Sequence, residues 1–432
     1  MTQNHRLHDL IPGGAHTYTK GDDQFPANAP RMIERGDGAY VFDRNGHRYL
    51  DLTMGLTSVV LGHAYEPVLD AVRAELQKGV NFQRPATIER EFAEMLDDLF
   101  PWFDQFKFAK NGSTVTTAAV KLARAYTGRD KVALCGDHDF FSYDDWFIGT
   151  TVMDRGVPDA YKELSVTFPY GDLDAVKRMF QQHDEEIACL ILEPVTYSEP
   201  PENYLNDLKD LCHRHGALLI LDEMISGFKW DLRGAQNLYD VEPDLATFGK
   251  SIANGFSVDV LAGREDVMQL GGLNHDEERV FLVSTTNGAE THGLAAAMKT
   301  IQEIDEHNVI PHREDLGRQL KQGLNRLAQE KGLDPYVEVI GFPALPLLKT
   351  RGPDEHPSNE FGTLLQQELI KQNVLAQSLL TLSYAHGQEE LAMLLDRFDR
   401  ALDVYGRAIE EGSTQEFLDG PPTQPVFRKY NS

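Results

Sequence analysis

Apolar residues along the chain keep two rhythms. Over 67–78 and 87–99 they recur in steps of three and four, the period of amphipathic helices. From about residue 105 short, nearly unbroken apolar runs alternate with helical stretches. The runs are 105–110, 131–136, 187–195, 217–224, 245–250 and 259–264. Unbroken hydrophobicity suits strands covered on both faces, so the pattern predicts an α/β fold around a parallel sheet. Helices are expected at 114–127, 172–183 and 202–215, and two long ones at 288–306 and 312–331. Residues 1–35, with Pro12, Gly13, Gly14, Pro26 and Pro30, read as irregular. Residues 38–51 read as a hairpin turning at Asn45-Gly46. The C-terminal part mixes strands at 336–349 and 374–384 with helices at 358–372 and 388–410, as a smaller α+β domain would. The Gly420-Pro-Pro-Thr-Gln-Pro425 stretch reads as an irregular tail.

Charge narrows the function classes. The chain has 432 residues, with 41 Lys and Arg against 68 Asp and Glu, a net charge of −27. That balance argues against nucleic-acid binding and against docking on an anionic membrane. No apolar run is long enough for a transmembrane helix, and Met1-Thr-Gln-Asn-His-Arg6 lacks the apolar core of a secretory signal. Three cysteines, Cys135, Cys189 and Cys212, make a poor disulfide framework, so a cytoplasmic protein is expected.

Three segments carry candidate chemistry. In Leu218-Leu-Ile-Leu-Asp222-Glu223 an apolar strand ends in two carboxylates, where open α/β sheets bind ligands. A half-dry carboxylate there is costly unless it meets a cation; the plain alternative is a solvated loop. Lys250, in Phe248-Gly249-Lys250, also ends a short strand. Desolvation disfavours its ammonium form and makes it a candidate for imine formation, against the alternative of a lysine snorkelling to solvent. Lys110-Asn111-Gly112-Ser113-Thr114 links a strand to a helix with apolar positions Val115, Ala118, Ala119, Leu122, Ala123 and Tyr126, and Gly128 follows as a C′ glycine. Such a turn offers N–H groups and a positive dipole end to a phosphate, or is an ordinary Ser/Thr cap. A phosphate cradle, a carboxylate for a pyridinium and an imine-forming lysine together are what pyridoxal 5'-phosphate (PLP) needs.

From about residue 11 to about 410 the chain resembles the class III (subgroup II) PLP-dependent aminotransferases, most closely the glutamate-1-semialdehyde aminomutase branch. The phrases that carry the likeness are Ile11-Pro-Gly-Gly-Ala-His16, Gly38-Ala-Tyr-Val-Phe-Asp43, Leu61-Gly-His-Ala64, 121–131, Glu193-Pro194, Leu221-Asp-Glu223 with Gly227-Phe228, and Phe248-Gly-Lys250, with Asp222 and Lys250 separated by 250 − 222 = 28 positions. The resemblance implies PLP fold type I, the aspartate-aminotransferase type: a large domain with a mostly parallel seven-stranded sheet and a small α+β domain. The boundaries expected are 1–60 (N-terminal segment of the small domain), 61–325 (PLP domain) and 326–432 (small domain). It implies Lys250 as the imine-forming lysine, Asp222 as the partner of the pyridine nitrogen, Glu193 close to the cofactor, and Gly112, Ser113 and Thr114 in the phosphate loop. Thr285 aligns with a threonine given to the phosphate by the neighbouring subunit, which implies a homodimer with shared active sites.

Three places depart from the family pattern. Thr114 stands where an acid is usual. The usual Tyr-His-Gly is replaced by Asp137-His138-Asp139-Phe140-Phe141, leaving Phe140 or Phe141 as the expected stacking ring with His138 behind, unless these aromatics only fill the core. Asn287-Gly-Ala-Glu-Thr291 replaces Ser-Gly-Asn-Pro. With Lys20-Gly-Asp-Asp-Gln-Phe-Pro26, these features are similar to aminomutase relatives of surface-sugar and natural-product assembly. They imply amino transfer, with glutamate as donor, to an aldehyde or keto acceptor such as an 8-oxo-octulosonic acid of polysaccharide biosynthesis. Glutamate-1-semialdehyde 2,1-aminomutase activity and a non-catalytic binding protein are the alternatives. Cys212-His213-Arg214-His215 and Asp137-His138-Asp139 do not space ligands for a metal, and none is expected. No dinucleotide glycine motif follows the first clear strand, and no Gly-x-Ser-x-Gly elbow is present.

Overall fold

The computed structural model describes residues 3–195 and 197–431, so Met1 and Thr2 of the segment read as lacking a leader lie outside it. The chain divides into two units, Glu66–Ile310 and the pair Met1–Tyr65 with Pro311–Ser432.

The Glu66–Ile310 unit is built on seven strands: β1 (Gln105–Ala109), β2 (Lys131–Cys135), β3 (Ser165–Phe168), β4 (Ile187–Leu192), β5 (Leu218–Asp222), β6 (Leu245–Phe248) and β7 (Asp259–Gly263). Their order across the sheet is β1-β7-β6-β5-β4-β2-β3. All neighbours are parallel except β7, which runs antiparallel to both β1 and β6. Every residue of β4, β5, β6 and β7 is buried, which is why their sequence is unbroken apolar rather than alternating. The sequence pattern misses β3 because only Phe168 of its four residues is buried. The expected helical stripe is present in Gly112–Thr127, which buries Val115, Ala118, Ala119, Leu122 and Ala123 and ends at Gly128 with φ +68°. Helices Leu173–Gln182 and Tyr204–Arg214 lay Val176, Met179, Phe180, Leu205, Leu208 and Leu211 on the core beneath β2, β4 and β5.

The other unit holds the hairpin read at 38–51, Tyr40–Asp43 against Arg48–Asp51, extended by Ile33–Asp37. The irregular reading of residues 1–35 is corrected at two places: Gln3–Leu10 is a helix, and Ile33–Asp37 pairs as an edge strand whose exposed positions hid it. The strand expected over 374–384 is only Val374–Leu375, parallel to Arg48–Asp51, and 336–349 is the hairpin Val337–Ile340 with Leu347–Thr350. The helix Val309–Glu330 sends Leu316, Leu320, Leu324 and Ala328 into one core with Leu364, Leu369, Leu394, Phe398 and Tyr405. That shared core places the division between Ile310 and Pro311, in the first turn of this helix, rather than at 325 near its end.

Gly317 lets this helix approach its neighbour: a Cβ there would lie 1.8 Å from the Pro343 carbonyl oxygen. Alanine outranks glycine in helix propensity by about 1 kcal/mol. A clash with backbone outweighs that gain, since overpacking costs about 1–3 kcal/mol. Gly317→Ala should therefore lower stability by about 2 kcal/mol in urea unfolding, and a gain would refute the packing argument.

Candidate active site

The parallel strands deliver their functional residues to one edge. Asn111 and Gly112 follow β1, Asp137 and His138 follow β2, and Glu193 follows β4. Asp222 is the last residue of β5, and Gly249-Lys250 follow β6. Because β7 is antiparallel, its first residue, Asp259, sits at the same edge, paired with Ala109.

Asp222 is buried. Its Oδ1 accepts from the Met224 N–H at 3.1 Å and the Thr247 hydroxyl at 2.9 Å. Burial pushes its carboxyl up to about 6, against the pull of those hydrogen bonds and of Lys250. The neighbouring Glu223 does a different job. It accepts from the N–H groups of Ala235 at 2.9 Å and Gln236 at 2.7 Å, and from the Ser226 hydroxyl. A Cβ at Gly234 would fall 2.6 Å from the Glu223 carboxyl carbon, so the loop closes around this side chain. Of the two acids that end the strand, Glu223 is consumed in folding and Asp222 keeps Oδ2 for another partner.

Lys250 has φ +45°, a left-handed conformation rare for a side-chain-bearing residue. Such strain persists where the surrounding structure over-determines it, often at functional sites. Burial lowers the pKa of its amine, while Glu193, Asp222 and Asp259 pull the other way. Burial and the nearby Asp222 raise that of Glu193. The Glu193 N–H donates to His138 Nδ1 at 3.0 Å. That bond puts the imidazole proton on Nε2, which is buried and has no hydrogen-bond partner among the described residues. Burial drives the His138 pKa down to about 4, so the ring is neutral.

The helix cap is Asn111, missed in sequence because Ser113 and Thr114 looked equally able. Asn111 Oδ1 accepts from the Thr114 N–H at 3.0 Å and from its hydroxyl at 3.1 Å. The Thr114 hydroxyl is thus turned back on the cap. Ser113 is buried, and its Oγ accepts from the Tyr143 N–H at 3.1 Å, so its own proton is free to be given away. The N–H groups of a first helical turn have no partner inside the helix, and those of Gly112 and Ser113 face this turn. The two phenylalanines expected at the ring have different surroundings. Phe141, 2% exposed, packs with Trp146 and Phe147, and Phe140, 46% exposed, lies edge-on to Phe147. His138 is the ring bonded into the site. Thr285 is exposed in the single chain, in a turn where the Gly288 N–H donates to its carbonyl at 3.3 Å.

The metal-like segments are dispersed. His213 pairs with Asp244 at 2.9 Å, His215 stacks on Phe180, and Cys212 is buried. Asp137 accepts from the Tyr170 N–H and Asp139 from the Tyr197 hydroxyl. The donor set at the sheet edge fits PLP instead: a buried carboxylate with one oxygen unused among the described residues, an amine whose ammonium form burial disfavours, a buried imidazole N–H and a helix N-terminus.

These burials have a consequence for stability. Asp222, Glu223 and Asp259 rise from ordinary values of 3.8, 4.5 and 3.8 to about 6, 7 and 7. The folded chain therefore keeps protons that the unfolded chain gives up. Their contribution is complete below the ordinary carboxyl values and is lost as pH rises through 6 to 7. The urea midpoint of the PLP-free protein should fall as pH is raised across that window, and Asp259→Asn should flatten the fall. A midpoint rising over the window would contradict the burial.

The comparisons with known proteins agree with this geometry. The family model for aminotransferase class-III matches residues 23–341. A glutamate-1-semialdehyde 2,1-aminomutase from Halobacterium salinarum is 34% identical over 344 residues, covering 77% of this chain and 75% of the relative. A 3-aminobutyryl-CoA aminotransferase from Cloacimonas acidaminovorans is 29% identical, covering 91% of this chain and 94% of the relative. The crystal structure of an omega-transaminase from Sphaerobacter thermophilus superposes with a TM-score of 0.83 at 26% identity, covering 94% of this chain and 97% of that one. The chain belongs to the class III aminotransferases, PLP-dependent enzymes of fold type I, and within them it is similar to the glutamate-1-semialdehyde aminomutase branch.

Proposed function

We propose that the enzyme moves an amino group from glutamate to the aldehyde or keto carbon of a sugar acid, of the 8-oxo-octulosonic type used in surface polysaccharides. The observation that carries the amino-transfer part is Lys250, a strained lysine set among buried acids at the end of β6. The acceptor rests on the Asn287-Gly-Ala-Glu-Thr291 variant and on Lys20-Gly-Asp-Asp-Gln-Phe-Pro26, which resemble aminomutase relatives of surface-sugar and natural-product assembly. PLP, when bound, supplies the electron sink for the bond broken at the substrate Cα.

The chain's own residues do the rest. Lys250 Nζ would hold the cofactor through its carbonyl carbon, with the oxygen leaving as water; displaced by the donor's amine, it would take the proton from the substrate Cα and give it to the cofactor carbon on the other side of the substrate nitrogen. Asp222 Oδ2 keeps a proton on the ring nitrogen. Ser113 and the N–H groups of Gly112 and Ser113 hold the phosphate at the helix N-terminus, with Thr114 fixing the cap. Glu193 and His138 line the ring, and Phe140 and Phe141 hold that wall. Thr285 reaches the phosphate of a second copy, so a homodimer completes the site. The cytoplasm suits three buried, unpaired cysteines. Among the described residues no helix is long and apolar enough to cross a membrane.

The aminomutase relatives favour one second reading, conversion of glutamate 1-semialdehyde within a single site. A half-reaction assay separates the two. PLP-loaded protein should lose its violet-blue absorbance with glutamate and regain it with an aldehyde sugar acid. Reaction with glutamate 1-semialdehyde alone would replace the first reading by the second. Protein that stays colourless with PLP would leave only a binding role. Lys250→Ala should abolish the band, and Asp222→Ala should slow the glutamate half-reaction by about 100-fold or more.

A further inference from the structure

Asp259 is an acid that none of these roles uses. It opens β7, and its position follows from the one antiparallel strand of the sheet. Asp259 lies opposite Ala109, which ends β1, and Val260 lies opposite Phe248, which ends β6. The side chain is 7% exposed and leans on Gly249. A Cβ at Gly249 would stand 2.1 Å from Asp259 Oδ1 and 2.5 Å from the Met224 sulfur. Glycine at 249 is therefore what leaves room for a carboxylate beside Lys250. No described residue donates a hydrogen bond to that carboxylate; the charged groups facing it are Lys250, Asp222 and Lys110. Lys110 is shared with Glu290 at 2.8 Å. The Lys250 amine in turn faces Glu193, Asp222, Asp259 and Asp139. Asp222 is tied to Met224 and Thr247, and Glu193 follows the strand on the far side of β5.

We propose that Asp259 is a positioning residue for the Lys250 amine, a fixed counter-charge that stabilises its ammonium form during proton transfer. The inference rests on Lys250 being the PLP-binding lysine. Lys250 Nζ would take the proton of the substrate Cα as the electron pair of that bond passes into the cofactor, and Lys250 would become an ammonium ion. Asp259 would balance that charge without exchanging the proton, and the proton would then pass from Lys250 to the cofactor carbon on the other side of the substrate nitrogen, where the electron pair returns to form the new C–H bond. Burial opposes the ammonium form, and a carboxylate facing the amine opposes burial. Removing the carboxylate makes the amine a weaker base.

PLP capture by the full-length, PLP-free protein reads that basicity, because only the neutral amine adds to the aldehyde. The rate of appearance of violet-blue absorbance is followed against pH in wild type and Asp259→Asn. The titrations of PLP itself are common to both, so a difference in midpoint reports Lys250. The midpoint should move acidward by about one pH unit in Asp259→Asn. Lys110→Met leaves Asp259 in place, removes a cation that keeps it ionised, and should move the midpoint the same way by less. It decides the matter should Asp259→Asn not fold. An unchanged midpoint, or one moved to alkaline pH, overturns the proposal. Lys250→Ala separates the two levels: persistence of the band there defeats the reading of Lys250 itself, whereas its loss together with an unmoved midpoint defeats only the role of Asp259.

Discussion

Buried negative charge around a single amine is the constraint on which this site depends. Asp222, Glu193 and Asp259 surround Lys250 at one edge of the sheet, and burial raises all three acids while lowering the amine. Without a ligand the acids outnumber the cations, and burial shifts the acids toward protonation. A protonated pyridine ring bound opposite Asp222, as proposed, would supply the missing positive charge. The same arrangement would then favour a bound cationic ring over the empty site. Parallel strands make the cluster feasible, since they bring the ends of β4, β5 and β6 together without any long-range accommodation.

Two glycines make the cluster sterically possible. Gly234, with φ +83°, folds the loop after β5 around Glu223, which uses three hydrogen bonds to hold that loop. Gly249 admits the Asp259 carboxylate and passes the chain into the left-handed turn at Lys250. That turn costs on the order of 1–3 kcal/mol. Strand β6, buried along its whole length between β5 and β7, is rigid enough to impose it. Among the described residues no hydrogen bond holds the amine, which is thus aimed by backbone geometry.

Most of the larger unit was legible in the sequence, because full burial of β4 to β7 writes itself as unbroken apolar runs. What escaped was exposed or short: β3 at the sheet edge, Ile33–Asp37, and the two-residue pairing Val374–Leu375. Asp222 and Lys250 were legible as polar residues ending apolar strands. Asp259 was not, although it borders an apolar run just as they do. Its place at the site depends on β7 being antiparallel, and periodicity carries no sign of strand direction. The aromatic segment was partly legible for a related reason. Phe140 and Phe141 were read as the stacking candidates with His138 behind, but the hydrogen bond from the Glu193 N–H to His138, between the ends of β4 and β2, is invisible in a linear reading.

The departures from the family pattern are coupled to one another. The acid missing at position 114 leaves a hydroxyl that folds back on the Asn111 cap, so the helix N-terminus keeps its positive end uncompensated by a local carboxylate. Beside it Lys110 would add a second positive charge, were it not paired with Glu290 at 2.8 Å. Glu290 also accepts from Asn287 Nδ2 at 3.0 Å, and Asn81 Nδ2 donates to the Thr286 carbonyl at 2.9 Å. Glu290 thus anchors the turn carrying Thr285 to Lys110, which follows β1. The Asn287-Gly-Ala-Glu-Thr291 turn is held by charge, while Thr114 leaves the N-terminus of the helix without a carboxylate of its own.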